Sequence, residues 1–337
     1  MKFRCRLLLL PAIALIALPV RAAFVNGRSY TALSEWAAVN NFHLQSKRGE
    51  IAIYTNPVSR LVVEKDSRTA QINGVNVAMS FPAALDKGVM LLSQLDLAKT
   101  IDPLVFAPKF TGKKISTICI DPGHGGKDTG NHTGSQNEKT CTLLLAQELG
   151  DQLKFFGFNV VLTRTKDKFV ELAERSDIAN RRGADLLVSL HFNATETSKA
   201  EVSGLETYCI TPVGASSSNA EGKGAGYGAT PANVVERKSL LLAYQVQKSL
   251  VRTLAAEDRS VRRARFAVLR EAEMPSILIE SGYLTHPVEG KKIADPAYRR
   301  QIAAAIVKGI LNYQKLTAPP APPAAAAGKV VGARKTK

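Results

Sequence analysis

Ile115-Ser-Thr-Ile-Cys-Ile-Asp-Pro-Gly-His-Gly-Gly126 is an apolar, β-branched run that ends abruptly in a proline, three glycines and a histidine. The same design recurs in Leu186-Leu-Val-Ser-Leu-His-Phe-Asn193 and in Ile277-Leu-Ile-Glu-Ser-Gly282. Each reads as a buried strand that delivers an ionisable residue at its carboxyl end. Helical patterns lie between them. Residues 138–156 place Leu145, Leu149, Leu153 and Phe156 on one face, and residues 171–182 turn Leu172, Ile178 and Ala179 inward. After a strand at 158–162 and a helix at 238–254, a last helix opens with Asp295 as N-cap and Pro296 at its first position. Tyr298, Ile302, Ile306 and Ile310 then repeat at every fourth residue. Strands alternating with helices predict an α/β fold, a mostly parallel twisted sheet covered by helices on both faces, over residues 114–316.

Upstream, residues 24–104 read as a small α+β accessory module. Leu33, Trp36 and Ala37 share one helical face, and Asn73-Gly74 between strand-like runs marks a tight hairpin whose central positions need positive φ. The module has no ionisable cluster with catalytic spacing, and His43 stands alone. Residues 1–22 have the order of a secretory signal: Lys2, Arg4 and Arg6, an apolar run from Leu7 to Val20, then Ala22 and Ala23. That run is short for a membrane span, so an exported protein without a stable span is expected. Residues 318–337 are a Pro/Ala-rich basic tail, expected to be disordered, and 214–231 is rich in Gly, Ser and Ala, which suggests a mobile surface loop.

The net charge is +16; both ends carry four basic residues and no acid, which leaves +8 on the folded body. An exported basic body suits an anionic surface of the cell envelope, and no nucleic-acid motif accompanies the charge. After signal removal the cysteines are Cys119, Cys141 and Cys209. An odd number makes no disulfide framework; buried free thiols are the simpler expectation, with a Cys119–Cys141 bridge as the alternative.

Open parallel sheets gather ligand sites at the carboxyl ends of their strands. His124, His191 and Glu280 all fall there. Two histidines and a carboxylate form a common catalytic zinc set with one position left open. Glu138, at the start of the helix after the His124 loop, is the expected third ligand, with Asp128 and His132 as rivals in the same loop. Glu280 is then available to move a proton from an activated water to a leaving nitrogen.

These motifs resemble a known family. Asp121-Pro-Gly-His-Gly-Gly126, Glu138-Lys139, Ser189-Leu-His-Phe-Asn-Ala194 and Glu280-Ser-Gly-Tyr-Leu284 are similar to those of the zinc-dependent N-acetylmuramoyl-L-alanine amidases. Arg175 with Ile178-Ala-Asn180, and Arg265-Phe-Ala-Val-Leu269, fit the same pattern, while Thr285-His286 departs from it. The resemblance implies one zinc ion per chain held by His124, Glu138 and His191, with Glu280 as catalytic carboxylate. It implies peptidoglycan as substrate, cell-wall remodelling or daughter-cell separation as the role, and the periplasm or cell envelope as the location. Some relatives plug the metal with an inserted helix. The corresponding stretch 211–235 is short and Gly-rich, so activity without an activator protein is expected; the chain is also expected to be a monomer. The N-terminal unit resembles the copper amine oxidase N-terminal-like domain, through Ile72-Asn-Gly-Val-Asn-Val77 and residues 91–104; no copper site follows from that likeness. The competing reading is a wall-binding protein with a dead metal site, which the presence of all four site residues disfavours.

Overall fold

The computed structural model describes residues 22–106, 114–134, 136–220 and 228–318. The expected signal, apart from Ala22, and the tail beyond Ala318 lie outside the described residues.

The N-terminal part begins with β1 (Ala22–Val25), β2 (Arg28–Ala32) and helix α1 (Leu33–Val39). An antiparallel meander follows: β3 (His43–Arg48), β4 (Ile51–Thr55), β5 (Arg60–Glu64), β6 (Thr69–Ile72) and β7 (Val75–Ala78). Asn73 and Gly74 join β6 to β7 with φ of +49° and +82°, the left-handed pair that a tight hairpin requires. Strands β8 (Ala84–Asp86) and β9 (Val89–Ser93) complete a small second sheet, ordered β1-β2-β9-β8. The short helices α2 (Gln94–Asp96) and α3 (Asp102–Val105), joined by a π-helical turn, then run towards the second unit.

The second unit contains β10 (Thr117–Pro122), a minimal hairpin of β11 (His132–Thr133) and β12 (Gln136–Asn137), and α4 (Glu138–Phe155). Next come β13 (Asn159–Leu162), α5 (Leu172–Arg181), β14 (Leu186–Asn193) and β15 (Leu205–Ile210). The chain ends its described part with α6 (Glu236–Leu254), β16 (Asp258–Ala264), α7 (Ala267–Arg270), β17 (Ser276–Tyr283), α8 (Glu289–Ala294) and α9 (Pro296–Thr317). Asp295 caps α9 as expected, its carboxylate accepting from Ala297 N at 2.9 Å.

One sheet of eleven strands runs through both units in the order β13-β10-β14-β17-β15-β16-β7-β6-β5-β4-β3. Strands β13, β10, β14 and β17 are parallel, as the alternation of strands and helices predicts. Direction reverses at β15, which runs antiparallel to β17, and α6 then carries the chain to β16 parallel to β15. The parallel pair Val261–Val77 joins β16 to β7, so the N-terminal meander continues the same sheet. Asn76 reinforces the junction by donating its backbone N–H to Asp258 Oδ2 at 2.7 Å.

Both faces are covered. One carries a large core that includes Ile118, Ile120, Leu145, Leu149, Leu153, Leu240, Ile306 and Ile310, contributed by β10, α4, α6 and α9. The other carries a smaller core with Cys119, Ala179, Leu187, Tyr208, Val268 and Leu278, against α5 and α7. Cys119 and Cys141 therefore face opposite sides of the sheet. Both are free buried thiols, as is Cys209, so the Cys119–Cys141 bridge does not form.

Two core expectations are corrected. Phe156 is 52% exposed because α4 has already ended at Phe155, and Leu172 is 59% exposed at the first residue of α5. The start of the Gly-rich 214–231 stretch is also anchored. Ala215, Ser216 and Ser217 are buried, and the Arg265 guanidinium donates to Ala215 O at 2.8 Å. Residues 221–227 lie outside the described residues.

Candidate metal centre

His124, Glu138 and His191 come from three elements distant in sequence, yet each offers a donor atom within 4.8 Å of the others. His124 follows β10, Glu138 opens α4, and His191 lies near the end of β14. The imidazole rings sit 4.9 Å apart, centroid to centroid, inclined at 78°. Glu138 is 1% exposed and lies between them: Oε2 is 3.0 Å from His124 Nε2, and Oε1 is 2.9 Å from His191 Nδ1. The same carboxylate accepts from Asn131 N at 2.9 Å and from Phe192 N at 3.1 Å, which fixes its plane.

Asp128, a rival ligand in the sequence, is instead hydrogen-bonded to the far nitrogen of His124, Nδ1, at 2.9 Å. A carboxylate in that place orients the ring and selects the tautomer that leaves Nε2 free for a metal. His132 is exposed on the β11–β12 hairpin and does not join the group. His286 accepts from Glu289 N at 3.1 Å and so caps α8, and His43 is exposed on β3.

The loop can pass this close because two positions lack a side chain. A Cβ on Gly123 would lie 2.3 Å from the His191 ring. One on Gly130, where φ is +63°, would lie 2.6 Å from His124 and 2.7 Å from Glu138. Two guanidinium groups then hold the loop backbone. Arg175 donates to Pro122 O at 3.0 Å and His124 O at 3.1 Å, and Arg164 donates to Pro122 O at 3.0 Å and Gly123 O at 2.9 Å. Buried Asp121 ties β10 to this frame through Arg175 at 2.9 Å, Thr163 at 2.6 Å and Ser189 at 2.8 Å.

The electrostatics favour a cation. Burial alone would raise the Glu138 carboxyl, but its bonds to His124 and His191 outweigh that and hold it far below the ordinary range. Burial would lower His124, but the hydrogen bonds and charges of Glu138 and Asp128 outweigh it and raise the imidazole. Such an acid–imidazole cluster is a donor set that a dication can take over by displacing a proton.

Glu280 stands beside the cluster. Its Cα pairs with that of His191 on the parallel strand β14 and with that of Glu206 on the antiparallel strand β15. Its Oε2 is buried and has no hydrogen-bond partner among the described residues. Burial, then the charges of Glu138 and Glu206, push its carboxyl well above the usual range. All four site residues line one cleft of about 330 Å³, whose other wall is apolar: Leu172, Phe266, Ala267 and Val268.

Glu206, absent from the sequence reading, is 1% exposed and accepts from Arg262 at 2.8 Å, Arg259 at 3.2 Å and Tyr208 OH at 2.7 Å. Its signal was available: like Glu280, it is an acid inside an apolar run, and such a residue requires a cation or a proton.

The second unit is similar to known proteins. Residues 118–312 match the family model described as N-acetylmuramoyl-L-alanine amidase. The N-acetylmuramoyl-L-alanine amidase AmiA of Salmonella typhimurium is 33% identical over 229 residues, 61% of this chain and 78% of the relative. Among solved structures, the amidase from Clostridium difficile 630 is 35% identical with a TM-score of 0.50, covering 60% of this chain and 98% of that one. The AmiC2 amidase of Nostoc punctiforme is 34% identical with a TM-score of 0.50, covering 61% and 99%.

Proposed function

Because the chain belongs to the N-acetylmuramoyl-L-alanine amidase family, we propose that it is an exported zinc hydrolase acting on peptidoglycan. The bond cut is the amide joining the lactyl group of N-acetylmuramic acid to the L-alanine of the stem peptide. The observation that carries the reading is the meeting of His124, Glu138 and His191 within 4.8 Å, beside Glu280, whose buried Oε2 has no hydrogen-bond partner among the described residues. Both imidazoles and the carboxylate are zinc ligands by chemistry, and three protein ligands leave a fourth position for substrate or water. A zinc ion there would supply Lewis acidity to the amide carbonyl and lower the pKa of water.

The chain's own residues do the rest. Asp128 and the Asn131 and Phe192 backbone amides orient the donor atoms, so that little is reorganised during reaction. Glu280 takes the proton of the attacking water and returns it to the leaving nitrogen of L-alanine. The apolar wall of Leu172, Phe266, Ala267 and Val268 limits bulk water on one side of the cleft.

The basic, apolar, small-residue order of residues 1–22 supports export to the periplasm or envelope, and no described helix is long and apolar enough to cross a membrane. The Gly-rich, acid-poor sequence of 211–235 supports activity without an activator. The test is mass analysis of soluble products from purified peptidoglycan, with and without a chelator. Stem peptides beginning with L-alanine, formed only with metal present, are expected. Release of glycan fragments, or release unaffected by chelation, would defeat the reading.

A further inference from the structure

Helices α6 and α9 meet on the sheet face opposite the smaller core that borders the catalytic cleft. They cross where Gly309 presses on Val246: a Cβ on Gly309 would lie 2.6 Å from Val246 Cα. Alongside this crossing lies a groove of about 410 Å³. Lys248, Ser249 and Arg252 line it from α6, at positions i, i+1 and i+4 of one helical stripe, and Lys308, Asn312 and Lys315 line it from α9.

Four cations thus share one concave site, and no carboxylate is among its lining residues. Helix α9 contains no Asp or Glu, and the one acid of α6, Glu236, sits at its far end against Lys99. Lys248 is pushed down by burial and by Arg252, with no acid opposing them. Like charges one helical turn apart, as in Lys248 and Arg252, destabilise a helix unless something neutralises them.

A second observation is independent of charge. Ser249 is 4% exposed and lines the same groove, yet its Oγ has no hydrogen-bond partner among the described residues. A buried hydroxyl in that state carries a desolvation cost that a ligand acceptor would relieve.

We propose that this groove binds a phosphate group, either free or as the exposed monoester headgroup of a lipid. Phosphate fits better than a carboxylate because its two charges and its several acceptor oxygens can use converging cations together with directed donors. Ser249 Oγ and the Asn312 amide supply those donors. The groove's size suits a headgroup, and it offers no aromatic face for stacking a base.

The test is calorimetric titration of inorganic phosphate into the full chain at low ionic strength, a readout independent of wall hydrolysis. Saturable binding is expected, weakened by added chloride. A Lys248→Gln/Lys308→Gln double variant should bind at least roughly tenfold more weakly, and Ser249→Ala several-fold more weakly, with melting temperatures confirming that both fold. In a second arm, the proteins are sedimented with phosphatidylcholine vesicles with or without phosphatidic acid. Retention on the acidic vesicles that the double variant loses assigns a lipid source; binding of phosphate alone assigns a soluble one. The proposal is overturned if wild type binds neither probe, or if the double variant binds phosphate as tightly as wild type.

Discussion

Glu206 and Glu280 stand directly opposite one another on the antiparallel strands β15 and β17, and among the described residues only Glu206 has cations of its own. Arg259 and Arg262 neutralise it from the β16 side. Glu280 is left between two other acids, Glu138 and Glu206, and burial together with their charges raises its pKa in the metal-free protein.

Glu280→Gln should therefore retain metal while losing proton transfer. Hydrolysis of purified sacculi is expected to fall by at least about 100-fold, with metal content by elemental analysis unchanged. Activity within a few-fold of wild type would remove Glu280 from the chemistry.

Asp121→Asn tests the frame beneath the site. The variant replaces the charge that faces Arg175 at 2.9 Å, and both side chains are buried, at 0% and 3% exposure. Breaking a buried pair on one side costs about 3–5 kcal/mol. Denaturant unfolding should show a loss of that order, and a loss below about 1 kcal/mol would mean the pair is dispensable.

Gly123→Ala tests the close approach of the loop. The added methyl would meet the His191 ring at 2.3 Å, and that ring has to give way. The variant should fold but bind zinc at least roughly tenfold more weakly, as losses in the orienting shell of a metal site do. Unchanged affinity in a competition titration would show that the loop has slack.

Removing the metal should make stability depend on pH through His124. Its pKa in the folded, metal-free protein is raised, so its contribution is complete below the unfolded imidazole value of about 6.5 and is lost as pH rises through the folded value. Glu138 acts oppositely. Its depressed pKa stabilises above the unfolded carboxylate value of about 4.3 and is lost as pH falls. Melts of chelator-treated protein should therefore lose stability from about pH 6.5 upward, and zinc binding should release protons across the same range. A chelated protein that grows more stable between neutral and mildly alkaline pH would contradict the assignment.

Much of the site was legible because its residues break local rules. A histidine or glutamate closing an apolar strand is costly unless it has a task, and three such strand ends in one α/β pattern converge at one sheet edge. Glu138 was legible from the glycines that let the loop fold back. The strands β15 and β16 were not. Leu205–Ile210 is buried throughout, so no alternation marks it, and Arg259, Arg262 and Arg263 disguise Asp258–Ala264 as a surface segment. Glu206, Tyr208 and Arg262 belong to those strands and were missed with them. Asp128 was read as a rival ligand because a carboxylate four residues from a histidine suits either role; only the distance to Nδ1 distinguishes them.

The pair Val77–Val261 gives the N-terminal meander a duty that its lack of ionisable clusters hides. By lying along β16 it occupies backbone groups that would otherwise stand open at a sheet border, where a second molecule could add its own strand. A shortened chain beginning after residue 113 would bare that border, together with the middle of α6, where the Tyr244 hydroxyl now donates to Ile72 O. Self-association, more than any loss of chemistry, is the hazard of trimming this protein to its catalytic half.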